Sequence, residues 1–144
     1  MQAGSIRRGF FQRLLGICAT KRPADEGCWT VQNGRIVVDL ARAPELAPPN
    51  GAIRLEGKGL PDRVLVAHKE DGGYYAFRNR CTHGGRRLDP VPAVPQVQCC
   101  SVGKATFDCQ GKRISGSGKG DLACYPAILE SGKLAIAVEQ PMIG

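Results

Sequence analysis

The sequence predicts an all-β domain, an antiparallel β-sandwich or a small barrel. Three observations carry that expectation. Nineteen Gly and ten Pro in 144 residues punctuate the chain too often for long helices. Between these breakers lie short runs rich in Val, Ile, Tyr, Phe and Thr, as strands require. Hydrophobic residues make up 42% of the chain, enough for one real core and too many for a disordered segment. No run reaches the roughly 18 apolar residues that a membrane-crossing helix needs.

The elements follow in order. Thr30-Val31-Gln32 and Arg35-Ile36-Val37-Val38 flank Asn33-Gly34, a strong short hairpin signal. Residues 39 to 51, with Pro44, Pro48 and Pro49, read as an irregular connection with a helical turn over Ala41 to Leu46. Ala52–Leu55 and Val64–His68 are the next strands, and Asp71-Gly72-Gly73 turns the chain into Tyr74–Phe77. Gln96–Gln98, Ala105–Phe107 and, after Ser131-Gly132, Lys133–Val138 complete the set. Gly116 to Gly120 mimics a phosphate-binding loop. It lacks the first Gly, where Arg113 stands, and the Ser or Thr after the Lys, so it reads as a surface loop.

Residues 1–24 form a separate basic segment before a domain over residues 25–144. Ile6, Phe10, Leu14 and Ile17 recur at helical spacing, which predicts a short amphipathic helix. Such a helix packs on its own domain, or docks on a partner or an anionic membrane surface. The segment holds Arg7, Arg8, Arg13, Lys21 and Arg22 and no acid, so it carries five of the seven net positive charges. The body is nearly neutral, and the chain's eight aromatics are not interleaved with basic residues, which argues against a nucleic-acid partner. Arg7-Arg8 with Phe10-Phe11 resembles a twin-arginine export signal. The apolar stretch behind it ends too soon, at Lys21-Arg22-Pro23. A cytoplasmic, reducing location is therefore expected, with peripheral membrane contact as the further option and export as the less favoured one.

The seven cysteines, Cys18, Cys28, Cys81, Cys99, Cys100, Cys109 and Cys124, are an odd number, unlike a disulfide scaffold. Thiols available to a metal fit better. Cys81-Thr82-His83-Gly84-Gly85 places a thiol and an imidazole on one tight loop, and Cys99-Cys100-Ser101-Val102-Gly103 follows about 16 residues later. Two such loops are what a two-iron site with mixed Cys and His ligation needs.

On these residues the chain resembles the Rieske family. The first loop matches Cys-x-His-x-Gly-x-x-Leu as Cys81, His83, Gly85 and Leu88, entered by a strand ending in Asn79-x-Cys81. In the second, Phe107-Asp108 and Gly111 align so that Cys100 takes the cysteine position. Gly103 then stands where the family has its second histidine. Ser115-Gly116, Leu122, Tyr125-Pro126 and the strand after Gly132-Lys133 extend the likeness over residues 30 to 140. The resemblance implies a Rieske-like antiparallel β-sandwich with a small cluster-binding subdomain, a [2Fe–2S] cluster and a protein redox partner.

The other histidine, His68, falls mid-strand and reads as a sheet residue, so the second imidazole is missing. Cys81, His83 and Cys100 remain as matched ligands. Cys99 is the expected fourth, Cys109 the alternative, and Ser101 a poorer donor. Two functions stay open: an electron carrier with an atypical cluster of three Cys and one His, or a clusterless accessory subunit. A zinc site from the same residues is a third, lesser option. A two-His-one-carboxylate iron site cannot be built with His68 alone, so catalysis by this chain is not expected. Arg78, Arg80, Arg86 and Arg87 bracket the first loop, as a steering rim for an acidic partner or as ordinary solvated charge.

Overall fold

A computed structural model describes residues 19–69, 71–81, 86–91, 96–99, 105–108, 110–115, 121–138 and 142–143. The amphipathic segment up to residue 18, His83, Cys100, Gly103, Cys109 and the loop 116–120 lie outside the described residues. Among the described residues, no helix is long and apolar enough to cross a membrane.

The architecture is all-β, in three antiparallel sheets. The first joins β1 (Trp29–Gln32), β2 (Arg35–Asp39), β12 (Lys133–Ala137) and β11 (Ala127–Glu130), in the order β1-β2-β12-β11. The second is five-stranded, β13 (Met142–Ile143), β10 (Ala123–Tyr125), β5 (Tyr74–Arg78), β4 (Val64–His68) and β3 (Ala52–Leu55). The third runs β6 (Leu88–Pro90), β7 (Gln96–Cys99), β8 (Thr106–Asp108) and β9 (Arg113–Ser115). The connection over residues 39 to 51 holds two 3₁₀ turns, Leu40–Arg42 and Pro44–Leu46.

The second sheet is the middle layer, and its sequence states why. Val64, Leu65, Val66 and Ala67 are all buried, with no polar alternation, because both faces of β4 are covered. Val64 and Val66 join a core with Trp29, Ile36, Val38, Leu134 and Ile136 of the first sheet. Leu65 and Ala67 enter a second core with Leu88, Val97 and Phe107 of the third. β5 divides the same way, Ala76 to one side and Tyr75 with Phe77 to the other. The period-two geometry of a strand sends successive residues to opposite cores.

Both hairpins of the first sheet turn on two residues in the left-handed region. Asn33 and Gly34 have φ of 51° and 74°, and Ser131 and Gly132 have 50° and 75°. This is the turn whose twist matches flanking strands. His68 ends β4, its ring stacked on Tyr74 at 4.6 Å and its Nδ1 3.2 Å from the Pro48 carbonyl, as a sheet residue should be.

Candidate metal centre

The third sheet and the end of β5 bring the two cysteine loops together. After Asn79 and Arg80 the chain reaches Cys81, whose amide donates to the Arg86 carbonyl at 2.7 Å and closes the loop over residues 82–85. Cys99 ends β7, and its amide donates to the Ala105 carbonyl at 2.7 Å, closing residues 100–104. Each loop is thus clamped at its root by a backbone bond from a cysteine amide. The two roots adjoin, because Leu88, just past the first loop, stands opposite Cys99 in the β6–β7 register.

The Cys81 and Cys99 side chains are buried in the same cluster, with Leu88, Val97, Ala105, Phe107 and Leu122. Val97 and Cys99 face inward while Gln96 and Gln98 are half-exposed, the alternation of a strand with one face on a core. The structure therefore brings together one family-matched ligand and the expected fourth one. Among the described residues no group of three or more His, Cys, Asp or Glu side chains converges on one point. Cys28 stands apart from the loops, whereas Cys124 is a third cysteine in the core of Cys81 and Cys99. Cys28 lies in the first core, where burial and then the nearby Asp25 and Glu45 carboxylates push its thiol pKa up, so it packs as a neutral small hydrophobe. The Cys124 thiol points to the Gln110 carbonyl at 3.4 Å.

Three polar features whose partners sequence reasoning did not supply frame this site. Asn79 is fully buried, and its Oδ1 accepts the Leu88 amide at 2.7 Å, tying the entry of the first loop to its exit. Its Nδ2 has no hydrogen-bond partner among the described residues. Asp89, also buried, accepts the Ala19 and Thr20 amides at 2.6 and 2.7 Å, so the basic segment leaves the body beside the loop roots. Glu56 takes Arg87 in two hydrogen bonds, at 2.6 and 3.0 Å, and Arg54 at 2.8 Å. The Arg87 bond, then the one from Arg54, outweighs burial and holds the Glu56 carboxyl at a pKa of about 2. The Asn79-x-Cys81 spacing and the acid–base alternation Arg54-x-Glu56 were readable; their partners across the fold were not.

The four arginines thereby separate. Arg87 is committed to Glu56, and Arg78 lies 3.6 Å from Asp62. Arg80 and Arg86 are the exposed pair.

A [2Fe–2S] cluster requires soft thiolate donors and a dry pocket with hydrogen-bond donors for its sulfurs. Thiols sharing one apolar core and a buried amide donor with no acceptor among the described residues fit that group. The comparisons agree. A family model, that of the Rieske [2Fe-2S] domain, matches residues 37–126. No curated protein matches the sequence. Among solved structures, the ferredoxin of carbazole 1,9a-dioxygenase from Nocardioides aromaticivorans IC177 superposes with a TM-score of 0.57 at 18% identity. That match covers 70% of this chain and 93% of that one. A complex of reduced oxygenase and oxidized ferredoxin in carbazole 1,9a-dioxygenase gives 0.52 at 19% identity, covering 62% of this chain and 82% of that one. Sequence pattern, sheet order and paired loops lead to one conclusion: the chain belongs to the Rieske [2Fe-2S] domain family.

Proposed function

We propose that the protein is an electron carrier of the Rieske ferredoxin type, with an atypical [2Fe–2S] cluster held by Cys81, His83, Cys100 and Cys99. The observation that carries the reading is the shared burial of Cys81 and Cys99 at the adjoining roots of two closed loops. Cys109 is the alternative fourth ligand. When bound, the cluster supplies one-electron chemistry. The chain's own part is to supply the ligand side chains, exclude water through Leu88, Val97 and Phe107, and present the loops to a partner. With a thiolate replacing an imidazole, added negative charge favours the oxidised state. The potential should fall from the Rieske range of about −150 to +300 mV toward the all-cysteine value near −400 mV.

The partner is a redox protein with an acidic face, met by the exposed Arg80 and Arg86 and by the basic segment over residues 1–24. The complex of an oxygenase with its ferredoxin supports an oxidoreductase as that partner. A reducing, cytoplasmic setting suits free thiolate ligands, with the basic segment able to hold the protein at an anionic membrane surface.

The test is anaerobic purification followed by iron and acid-labile sulfide analysis and an EPR spectrum of the reduced protein. Two irons and two sulfides per chain with a rhombic signal are expected. Cys99→Ala should shift the spectrum and lower iron content, whereas an unchanged spectrum would move the fourth ligand to Cys109. A second reading, a clusterless docking subunit, draws on the complete burial of Cys99 among apolar side chains. Protein without iron or sulfide would establish it and overturn the carrier.

A further inference from the structure

We infer that Asn79 is a positioning residue of the metal centre, whose side-chain amide donates a hydrogen bond to a cluster sulfur while its carbonyl fixes the first loop. The inference rests on the carrier reading above. Three facts carry it. Asn79 is 0% exposed, so its amide has no water to satisfy it. Every other polar atom of the residue is paired: its N–H donates to the Arg63 carbonyl at 2.8 Å and its carbonyl accepts Arg63 Nε at 3.0 Å. Its Oδ1 in turn accepts the Leu88 amide at 2.7 Å. The remaining donor, Nδ2, has no acceptor among the described residues.

A buried unsatisfied donor is costly, and native structures rarely keep one without an acceptor that the protein chain itself does not provide. Place identifies that acceptor. The carboxamide N and O lie about 2.3 Å apart, so Nδ2 sits within roughly 5 Å of the Leu88 amide. Leu88 stands opposite Cys99, and Asn79 is two residues from Cys81. The unpaired N–H is therefore at the root of both loops, where the thiolates and sulfides of a bound cluster would be the available acceptors. Such a bond stabilises the reduced, more negative cluster and raises its potential. It would offset part of the lowering caused by an extra thiolate.

The experiment compares wild type with Asn79→Leu, which removes donor and acceptor at similar volume. Asn79→Asp is the second variant; it keeps an acceptor for the Leu88 amide and serves if the Leu variant does not fold. Iron and sulfide content, reduction potential and resonance Raman spectra in H₂O and D₂O are recorded. The expected result is a cluster retained in the variant with its reduced-to-oxidised ratio lowered about tenfold at fixed potential, ~59 mV for a one-electron couple. The deuterium shift of the Fe–S stretching bands should shrink as well, a signature that a loop clamp alone would not move. An unchanged potential and an unchanged deuterium shift in an iron-loaded variant would overturn the role of Asn79 and leave the carrier standing. Wild type without iron or sulfide would overturn both.

Discussion

Glu56 is held between two guanidinium groups, and its charge is a stability device as well as a clamp on the first loop. Its side chain is 16% exposed, so its pairs are screened less than ordinary surface ones. With its folded pKa near 2 and an ordinary value of 4.5, the carboxylate contributes stability fully above about pH 5. That contribution is lost as pH falls toward 2. Glu56→Gln should cost on the order of 2 kcal/mol at pH 7 and flatten the acid limb, read by urea unfolding between pH 7 and pH 3. Gly111 is the complementary case, one of backbone geometry. It has a φ of +86°, and a Cβ there would lie 2.1 Å from the Leu122 carbonyl, whose residue's amide bonds Gly111 at 2.6 Å. Gly111→Ala should destabilise by roughly 3 kcal/mol, measured as a drop in the denaturation midpoint. The sequence marked this Gly only as part of the family pattern after the second loop. The close approach of Leu122 that makes it obligatory comes from the segment leading into β10, eleven residues further along the chain.

At the scale of elements, the β1–β2 hairpin was legible and several short strands were not. Asn33-Gly34 announces itself because two-residue turns with positive φ accept few residue types, whereas the Ser131-Gly132 turn was legible only as the start of β12. Asn33→Ala, placing a less tolerant residue at φ 51°, should cost about 1 kcal/mol and lower the thermal midpoint. β6, β9, β10, β11 and β13 lacked any such mark. β6 contains Asp89 and Pro90, and β10 is Ala-Cys-Tyr before Pro126, so neither has the alternation that signals a strand. Their pairing is imposed by neighbours: β6 follows β7 through Leu88 and Cys99, and β10 follows β5 through Cys124 and Phe77. β11 leaves Ile128 and Leu129 more than half exposed on the outermost strand of its sheet, a pattern that reads as loop until the sheet is known.

For the whole molecule, the middle sheet couples two cores, and only one of them supports the metal centre. Phe77 lies in the core that holds Cys81 and Cys99, whereas Ile36 lies in the other. Phe77→Ala should lose about 3–5 kcal/mol and also loosen iron, measured as faster cluster loss to a chelator. Ile36→Val, at about 1 kcal/mol, should leave iron retention unchanged. Charge is partitioned on the same scale. Neutralising Arg80 and Arg86 should slow electron transfer to an acidic partner at low salt and flatten its ionic-strength dependence. Arg87, committed to Glu56, should instead change stability when replaced, which unfolding curves would register. Such curves separate the docking charges from the structural one.

By itself the sequence determined the all-β class, the Asn33-Gly34 hairpin and the Rieske family pattern that enters the first loop at Cys81. These are local properties, set by turn chemistry, strand periodicity and ligand spacing within a few residues. Tertiary structure alone decided that β4 is covered on both faces and that Cys99 shares a core with Cys81. It also decided that Glu56 claims Arg87, and that Asn79 holds both ends of the first loop with one donor left over. Each of those joins residues distant in the chain or turns on which face a side chain takes. No local pattern encodes such a pairing; sheet register and burial do.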